Sequence, residues 1–399
     1  MRLTSYCWAS SISPGSCCPM LHSWRMIRCF RSISIWKYTG TGEFLSTFAA
    51  RSAMEHLPVG CKSPHYVIKF TRTYRKMQVT ARTAGREGGP DMEQTIAVIG
   101  AAAIGDYLFH VEHLPDRGEI VRITEHSGAL VPGGCAPNIA CGIAALGRAR
   151  PRLFYPVGDD FSATGLLEQW QARGIDCSGL TVVPGVPSGC AWMYMQADGT
   201  TMCFSYYGAA ASARAALPVE LPEWVVLAPV LGDYTAGYLT EALRQRRKVV
   251  VTGIGKAALG PWLPELYGLI INRREAQELC QALDLPDRRA LSEAYPHLLL
   301  YITDGGEGSS LYRAGAETKF SPVQAGQLMD FTGAGDSFTA GVVSALAAGI
   351  PPERAAWYGA SMASFVIERQ GGQCPMPTWE EIGARLDCQF PQLRKEEMK

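Results

Sequence analysis

The stretch Asp330-Phe-Thr-Gly-Ala-Gly-Asp-Ser-Phe-Thr-Ala-Gly341 says most about the fold. Its glycines mark a loop that turns into a helix, and the backbone N–H groups of Gly333–Gly335 can converge there on an anion. Asp336 would lie in the first helical turn, where a carboxylate can accept the proton of a hydroxyl that attacks phosphorus. The alternative is an ordinary helix N-terminus, with Asp in its favoured first turn and Gly in a tight bend.

A second glycine-rich stretch, Gly133-Gly134-Cys-Ala-Pro-Asn138, leads into the apolar segment Ile139–Gly147. Paired glycines let a ligand approach the backbone closely, and Asn138 in a first turn can donate and accept hydrogen bonds to vicinal hydroxyls. The pattern therefore favours a site for a polyhydroxylated ligand. A plain glycine turn with an Asn near the helix cap is the alternative that the residues leave open.

Short apolar strands alternate with amphipathic segments of helical length on either side of these stretches. The strands are Thr95–Ile99, Leu153–Val157, Val225–Ala228, Val249–Thr252, Leu269–Ile271 and Leu298–Thr303, and the helical segments include Ala163–Arg173, Ala236–Arg246 and Arg274–Leu283. This alternation predicts a parallel sheet covered by helices on both faces, with ligands bound beyond the carboxyl ends of the strands.

Two regions depart from that alternation. Strand-like groups at Glu119–Thr124, Cys190–Met195 and Met202–Tyr206 predict a small separate sheet, which could serve as a lid over about 119–131 and 190–206. After residue 330 the pattern is helical, over Gly335–Gly349, Pro352–Arg369 and Thr378–Leu386, with prolines placed where helices start.

Composition narrows the class of protein. The chain has 399 residues, of which 47% are apolar and 19% charged, so wholesale disorder is excluded. No apolar run approaches the roughly eighteen residues of a membrane span, so we expect a soluble protein with no membrane partner. The 13 cysteines form no CxxC pair, which predicts reduced thiols and a cytoplasmic location. His110 and His113 lack a further ligand pair, so we expect no metal site there.

The charge is distributed unevenly along the chain. Residues 1–91 contain 13 Lys and Arg against 4 Asp and Glu, whereas residues 92–399 contain 24 against 33. The acidic balance of the larger part argues against a nucleic-acid partner. The Arg- and Ser-rich start fits an organellar transit peptide, but arginines interrupt any signal-peptide core.

The start of the native chain is a separate question. Glu87-Gly88-Gly89 requires a purine-rich codon run two codons before Met92, and that run resembles a bacterial ribosome-binding site. We therefore interpret residues 1–91 as a non-native or disordered extension. We expect one folded domain over residues 92–388 and a polar tail over residues 389–399.

Four ordered motifs together resemble the ribokinase-like, or PfkB, family of sugar and nucleoside kinases. They are Gly133-Gly134-x-x-x-Asn138, Asn272-x-x-Glu275, Thr303-x-Gly305-x-x-Gly308 and Asp330-x-x-Gly-Ala-Gly-Asp336, and the likeness covers residues 95–388. The resemblance implies a three-layer α/β/α sandwich with a small β-sheet lid. It also implies transfer of the γ-phosphoryl group of ATP to a CH2OH of a small molecule, in a monomer or homodimer. The GxxxxGK[ST] motif of P-loop kinases is absent from the sequence.

The resemblance also assigns roles to particular residues. Asp336 matches the catalytic base, and Gly333, Ala334 and Gly335 match the anion hole. Asp106, Gly133, Gly134 and Asn138 match the substrate-binding positions, and Asn272, Thr303, Gly305, Gly308 and Gly335 match the ATP-binding ones. Glu275, with Asn272, matches the motif that organises Mg2+ indirectly, and a monovalent cation stays open as a further cofactor.

The same residues have simpler interpretations when each is considered alone. Asp106 could be a turn residue after Gly105, and Glu275 could be an ordinary first-turn helix carboxylate. Thr303-Asp-Gly-Gly306 could be just a turn.

Within the family, Gly133–Ala140 and Ile367–Thr378 look most like bacterial adenosine kinases, which implies phosphorylation of adenosine to AMP. A nucleoside needs an apolar or aromatic slot for its base. The aromatic residues that could form one are Phe109, Trp192, Tyr194, Tyr206 and Tyr207. Their alternative role is to pack the lid sheet.

Two departures keep other substrates open. Thr252-Gly-Ile-Gly255 stands where such adenosine kinases tend to have Asp-Pro-Gly-Gln, and Phe331 follows Asp330 where Pro or Thr is usual. A sugar kinase of the ribokinase or fructokinase type is the first alternative. A non-catalytic family member is the second, although the intact Asp336 and its glycine loop argue against it.

Overall fold

The computed structural model describes residues 35–38, 44–47, 94–198, 200–229, 232–253 and 259–393. The chain divides into two compact units, Met1–Gly88 and Gly89–Lys399. In the first unit, strands β1 (Ile35–Tyr38) and β2 (Phe44–Thr47) pair antiparallel. The proposed start at Met92 and the last six residues of the predicted tail lie outside the described residues.

The second unit is built on an eight-stranded sheet. Its strands are β3 (Thr95–Gly100), β7 (Arg150–Phe154), β12 (Trp224–Ala228), β13 (Lys248–Thr252), β14 (Gly268–Asn272), β15 (Leu299–Thr303), β16 (Ser309–Arg313) and β17 (Ala316–Phe320). Their order is β17-β16-β15-β14-β13-β12-β3-β7. The six strands from β15 to β7 are parallel, as predicted, and β16 and β17 add an antiparallel hairpin that was not predicted.

Helices cover both faces of this sheet. One face carries α1 (Cys135–Leu146), α8 (Ala334–Ala347), α9 (Pro352–Val366) and α10 (Trp379–Gln389), and the other carries α5 (Asp233–Arg244), α6 (Arg273–Ala282) and α7 (Arg288–Ala294). Successive residues of a strand point to opposite faces, so Ile96 and Val98 join one apolar core while Ala97 and Ile99 join the other. The predicted three-layer α/β/α sandwich is therefore confirmed.

A second, smaller sheet forms the lid. It contains β4 (Gly105–Val111), β5 (Ile123–His126), β6 (Val131–Pro132), β10 (Cys190–Met195) and β11 (Thr201–Tyr206), in the order β11-β10-β4-β5 with β6 also paired to β4. The strand predicted at Glu119–Thr124 begins at Ile123 instead. The reason is a turn in which the Glu119 carboxylate accepts the Asp116 N–H at 2.9 Å.

Smaller elements complete the unit. They are the parallel pair β8 (Pro156–Val157) and β9 (Thr181–Val182) and the short helices α2 (Phe161–Thr164), α3 (Leu166–Ala172) and α4 (Ala209–Ser212). The helix predicted at Ala163–Arg173 is thus interrupted at Gly165, whose φ of +73° is left-handed. Helix α10 extends to Gln389, and Leu393 is buried, so packing continues into the segment predicted as a polar tail. Among the described residues, no helix has the length and apolarity to cross a bilayer.

Candidate active site

A cavity of about 280 Å³ lies at the carboxyl ends of three parallel strands, β13, β14 and β15, beside the first turns of α1 and α8. This is the edge at which parallel α/β sheets bind ligands. The lining brings together five of the predicted site residues, Asn272, Glu275, Thr303, Gly335 and Asp336, with Cys135, Pro229, Thr252, Gly253, Ile270 and Ile271.

Helix α8 starts one residue before the predicted position, with Gly333 as its N-cap. The φ of Gly333 is +78°, and a Cβ at this position would lie 2.7 Å from Gly372 Cα, so only glycine fits. The Ala334 N–H donates to the Phe331 carbonyl at 3.2 Å. An anion at this helix start would therefore depend on the Gly333 and Gly335 amides more than on that of Ala334.

Asp336 is half-buried in the first turn of α8 and faces the first turn of α1. The Asn138 Nδ2 amide donates to Asp336 Oδ2 at 2.8 Å, and the Cys135 thiol is a second hydrogen-bond partner. Burial raises the pKa of Asp336 to about 6, and the two hydrogen bonds limit that rise. No Lys, Arg or His occurs among the described residues that line the cavity. The carboxyl group is therefore tuned by desolvation and neutral donors, a state suited to a general base near neutral pH.

Asn138 has a second, unused hydrogen-bonding group. The residue is only 4% exposed, and its Oδ1 has no hydrogen-bond partner among the described residues. A buried acceptor left unpaired is costly, so such groups point to a ligand donor or an ordered water. A ligand hydroxyl could donate to Oδ1 while Nδ2 remains on Asp336.

Asp106 lies at the start of β4 and contacts the predicted glycine turn. A Cβ at Gly133 would lie 2.7 Å from Asp106 Oδ2, and Gly134 has a φ of +88°, so both glycines are required by this packing. Burial raises the pKa of Asp106. The charges of Asp336 and, more weakly, Asp106 raise the pKa of the Cys135 thiol, which places both carboxylates around one end of α1.

Asn272 and Glu275 form a reciprocal cap on α6. Asn272 Oδ1 accepts the Glu275 N–H at 2.9 Å, and Glu275 Oε2 accepts the Asn272 N–H at 2.9 Å. The other carboxylate oxygen, Oε1, is directed towards Gly253, where a Cβ would lie 3.5 Å away. The described residues contain no cluster of three or more His, Cys, Asp or Glu that could hold a metal. This set fits Mg2+ held mainly by phosphates and water, with one carboxylate nearby.

The loop after β15 contains the other predicted nucleotide-binding residues. Thr303 pairs with Asn272 across neighbouring strands and lines the cavity, whereas Gly305 and Gly308 lie outside its lining. Gly308 has a φ of +92°, and a Cβ there would lie 2.1 Å from the Phe320 carbonyl oxygen. The turn itself therefore explains why Gly308 is glycine.

Four of the five aromatic residues proposed as a base slot lie on the face of the lid opposite Asp106, and the fifth, Tyr207, follows the end of β11. Side chains alternate along β4, so Asp106 and Leu108 share one face and Phe109 points to the other. The strand register pairs Tyr107 with Trp192 and Phe109 with Tyr194, and the rings of Phe109 and Tyr194 stack at 5.1 Å. The aromatic residues Phe109, Trp192, Tyr194 and Tyr206 therefore pack the lid sheet on the face opposite Asp106, which favours the alternative interpretation.

Sequence reasoning assigned no individual role to four residues that shape the site. Tyr155 Oη donates to the Ala103 carbonyl at 2.8 Å and accepts the Ala102 N–H at 3.0 Å, which fixes the connection into β4. Cys135 contacts Asp336, Gly372 packs against Asn138, and Gln373 binds the Gly133 carbonyl. The signal for the last two was the Gly-Gly-Gln run in the stretch Ile367–Thr378.

Comparison with known proteins gives consistent results. A model of the pfkB family of carbohydrate kinases matches residues 93–379. A nucleoside kinase of Methanocaldococcus jannaschii is 28% identical over 311 residues, which cover 75% of this chain and 98% of that protein. Ribokinase of Bacillus subtilis is 29% identical over 299 residues, covering 72% of this chain and 98% of the relative.

A solved structure shows the same fold. The crystal structure of the Methanocaldococcus jannaschii nucleoside kinase, described as an archaeal member of the ribokinase family, superposes with a TM-score of 0.63 at 27% identity. The superposition covers 74% of this chain and 98% of that chain.

Proposed function

Because the chain belongs to the pfkB family of carbohydrate kinases, which are phosphotransferases acting on alcohol groups, we propose that it transfers the γ-phosphoryl group of ATP to the 5′-hydroxyl of a nucleoside, with adenosine as the substrate. The observation that carries the proposal is Asp336, a carboxyl group with a pKa of about 6 held by donors from α1 at the start of α8. A base tuned in this way can take the proton of an attacking hydroxyl.

The acceptor would lie between the two carboxylates at the end of α1. Asp106 would accept from ribose hydroxyls, and the unpaired Asn138 Oδ1 would accept from another. The CH2OH group would then face Asp336. The Gly333 and Gly335 amides, reinforced by the dipole of α8, would stabilise charge on the transferring phosphoryl group.

ATP would lie along the carboxyl ends of β14 and β15. Asn272 and Thr303 face this part of the cavity, and Gly305 and Gly308 shape the loop that would cover the nucleotide. Glu275 Oε1 would orient Mg2+ through water, and Mg2+ when bound would neutralise phosphate charge. A monovalent cation stays open as a further cofactor, and activity in potassium, sodium and choline salts tests for it.

The base of the nucleoside would contact aliphatic and thioether side chains. Leu108 shares the Asp106 face of β4, and the strand register places Met193 directly beside Leu108. Both are half-buried, so a purine between them would remove apolar surface from water. A free sugar lacks that contact.

The test is a coupled ADP-release assay with Mg-ATP over adenosine, other nucleosides, ribose and fructose. We expect kcat/KM for adenosine to exceed that for ribose by roughly a hundredfold or more, since the base contributes a few kcal/mol of burial. A value for ribose or fructose equal to or above that for adenosine would contradict the nucleoside proposal.

Matched lid variants sharpen the test. Met193→Ala should lower kcat/KM for adenosine and leave the value for ribose unchanged. Trp192→Leu changes the adjacent residue on the opposite face and should leave the ratio of the two values unchanged. If Trp192→Leu alone lowered the ratio, the base would lie against the aromatic face instead.

A ribokinase is the second candidate. The similarity to Bacillus subtilis ribokinase is of the same extent as that to the nucleoside kinase, and a ribose needs only the polar part of the proposed site. Comparable kcat/KM values with and without a base would support it.

A further inference from the structure

Residues 367–374, which follow α9, form a segment that we call the strap. The Ile367 carbonyl accepts the N–H groups of Met329 and Asp330, at 2.8 and 3.3 Å. The Asp330 Oδ2 carboxylate oxygen in turn accepts the Gly371 N–H at 2.8 Å. The strap is therefore tied to the loop that leads into the first turn of α8.

The strap also contacts the first turn of α1 and the N-cap of α8. A Cβ at Gly372 would lie 2.5 Å from Asn138 Nδ2, and a Cβ at Gly333 would lie 2.7 Å from Gly372 Cα. Gly372 thus lies between Asn138, which donates to Asp336, and Gly333, which is the N-cap of α8. Neither contact leaves room for a side chain.

Gln373 adds a buried hydrogen-bond link between the same parts. Its Nε2 donates to the Gly133 carbonyl at 2.9 Å, and its Oε1 accepts from Trp170 Nε1 at 3.0 Å and from Cys141 Sγ at 3.6 Å. The Arg173 guanidinium donates to the Gln373 carbonyl at 2.8 Å. Gln373 is only 8% exposed, so these bonds form away from water.

The orientation of the Gln373 amide follows from the chemistry of its partners. An indole N–H can only donate, so the group facing Trp170 must be the oxygen. The nitrogen then faces the Gly133 carbonyl, which can only accept. A carboxylate at this position could keep the bond from Trp170 but would repel the Gly133 carbonyl, because it has no proton to donate.

We propose that Gln373 is a positioning residue for the phosphoryl acceptor. Its bond to the Gly133 carbonyl holds the glycine turn at a fixed position relative to the strap and the start of α8. Asp106 packs against that turn. The inference rests on the proposed function, because the turn is the acceptor side of the proposed site. The strap thereby sets the distance between Asp106, which would hold the acceptor, and Asp336, which would activate it.

The test compares Gln373→Glu, Gln373→Met and Trp170→Phe in the full chain. The first two variants remove the donor to Gly133, whereas Trp170→Phe removes the indole bond on the other side of the same amide, together with part of a buried ring. We expect both Gln373 variants to raise KM for the acceptor about three- to tenfold, the size set by one hydrogen bond, with KM for ATP unchanged. Trp170→Phe should lower the melting temperature without raising the acceptor KM.

The outcomes separate a positioning role from a structural one. Equal changes of acceptor KM in Trp170→Phe and Gln373→Glu, or an unchanged acceptor KM in both Gln373 variants, would overturn the inference. If Gln373→Glu does not fold, Gln373→Met provides the same comparison without a buried charge. Wild-type enzyme that phosphorylates no acceptor would overturn the proposed function and this inference with it, whereas an active wild type with normal Gln373 variants would overturn only the inference.

Discussion

Because burial raises the pKa of Asp336, activity and stability should depend on pH in opposite directions. With a pKa of about 6 in the free protein, the base is ionised above that pH, so kcat/KM should fall about tenfold per unit below pH 6. The free energy of unfolding changes with pH in the opposite direction. The folded state binds the Asp336 proton more tightly than the unfolded chain, in which the pKa of this carboxyl group is near 3.8. The contribution of Asp336 to stability is therefore lost as the pH rises through about 6.

Replacing Asp336 by Asn tests both consequences at once. We expect Asp336→Asn to lower kcat by about 10²–10⁴, because the variant cannot accept the proton. At pH 8 its melting temperature should equal or exceed that of wild type, since no buried charge is left to desolvate. Stopped assays and thermal melts measure the two effects. A kcat close to wild type would mean that Asp336 has a structural role only.

Asp106 and Asn138 are both expected to hold acceptor hydroxyls, but the structure predicts different effects when each is replaced by Ala. Asp106→Ala should raise the acceptor KM by the equivalent of about 1–3 kcal/mol and leave KM for ATP unchanged. Asn138→Ala should do the same and should also shift the fall of kcat/KM at acidic pH to higher pH, because Asp336 loses the 2.8 Å bond from Nδ2 that lowers its pKa. Equal losses for acceptor and ATP would instead indicate damage to the fold.

At the residue scale, the sequence predicts groups whose chemistry is local and misses those whose partners are distant. Asp336 and Asn138 stand in recognisable loop-to-helix patterns, and both line up in the structure as a hydrogen-bonded pair. Gln373 bonds to Gly133, 240 positions away, and the Gly-Gly-Gln run that marks the residue does not identify this partner. Cys135 stands within the glycine motif, yet its closeness to Asp336 follows only once α1 and α8 are packed together.

Among the elements, burial decided which ones the sequence could predict. The inner parallel strands are buried on both faces and appear as apolar runs, so their positions were predicted within a few residues. The edge strand β7 begins with Arg-Pro-Arg and is partly exposed, and it was predicted three residues too late, at Leu153–Val157. Strand β17 is exposed over four of its five residues and has the sequence Ala-Glu-Thr-Lys-Phe, which carries no such signal. The lid strand β4 was not predicted as a strand of the lid, although roles were assigned to Asp106 and Phe109 within it, and the faces of β4 follow only from its register with β10.

The cap of α6 allows the magnesium role of Glu275 to be separated from its structural role. Glu275→Gln keeps an oxygen for the Asn272 N–H but removes the charge near the proposed phosphates. We expect a small loss of stability, below about 1 kcal/mol, and a severalfold higher Mg2+ concentration for half-maximal activity. Activity measured against Mg2+ at fixed ATP gives the result.

Helix α10 provides a matched control, because Thr378 and Glu381 form the same reciprocal cap there, with bonds of 3.2 and 2.7 Å. Glu381→Gln should cost similar stability and leave the Mg2+ dependence unchanged. If the two variants had the same kinetics, Glu275 would be a helix cap and nothing more.

For the molecule as a whole, the described site and both apolar cores lie within residues 94–393. Strand β3 begins at Thr95 between β7 and β12, and the Gln94 carbonyl accepts the Arg150 N–H at 2.9 Å. A chain that starts at Met92 therefore keeps the contacts that the described residues make around the central strand and the site. This is the physical basis on which the proposed start can be tested in purified protein.

We propose that a chain starting at Met92 folds and works as well as the full chain. Its kcat/KM and melting temperature should match those of the 399-residue protein, because every described residue of the site and of both cores is retained. A chain starting at Ile99 serves as the control: it cuts into β3, exposes the edges of β7 and β12, and should not fold. A lower kcat/KM or melting temperature for the Met92 chain would show that residues 1–91 contribute to the enzyme, and peptides from those residues in cell extract would contradict Met92 as the native start.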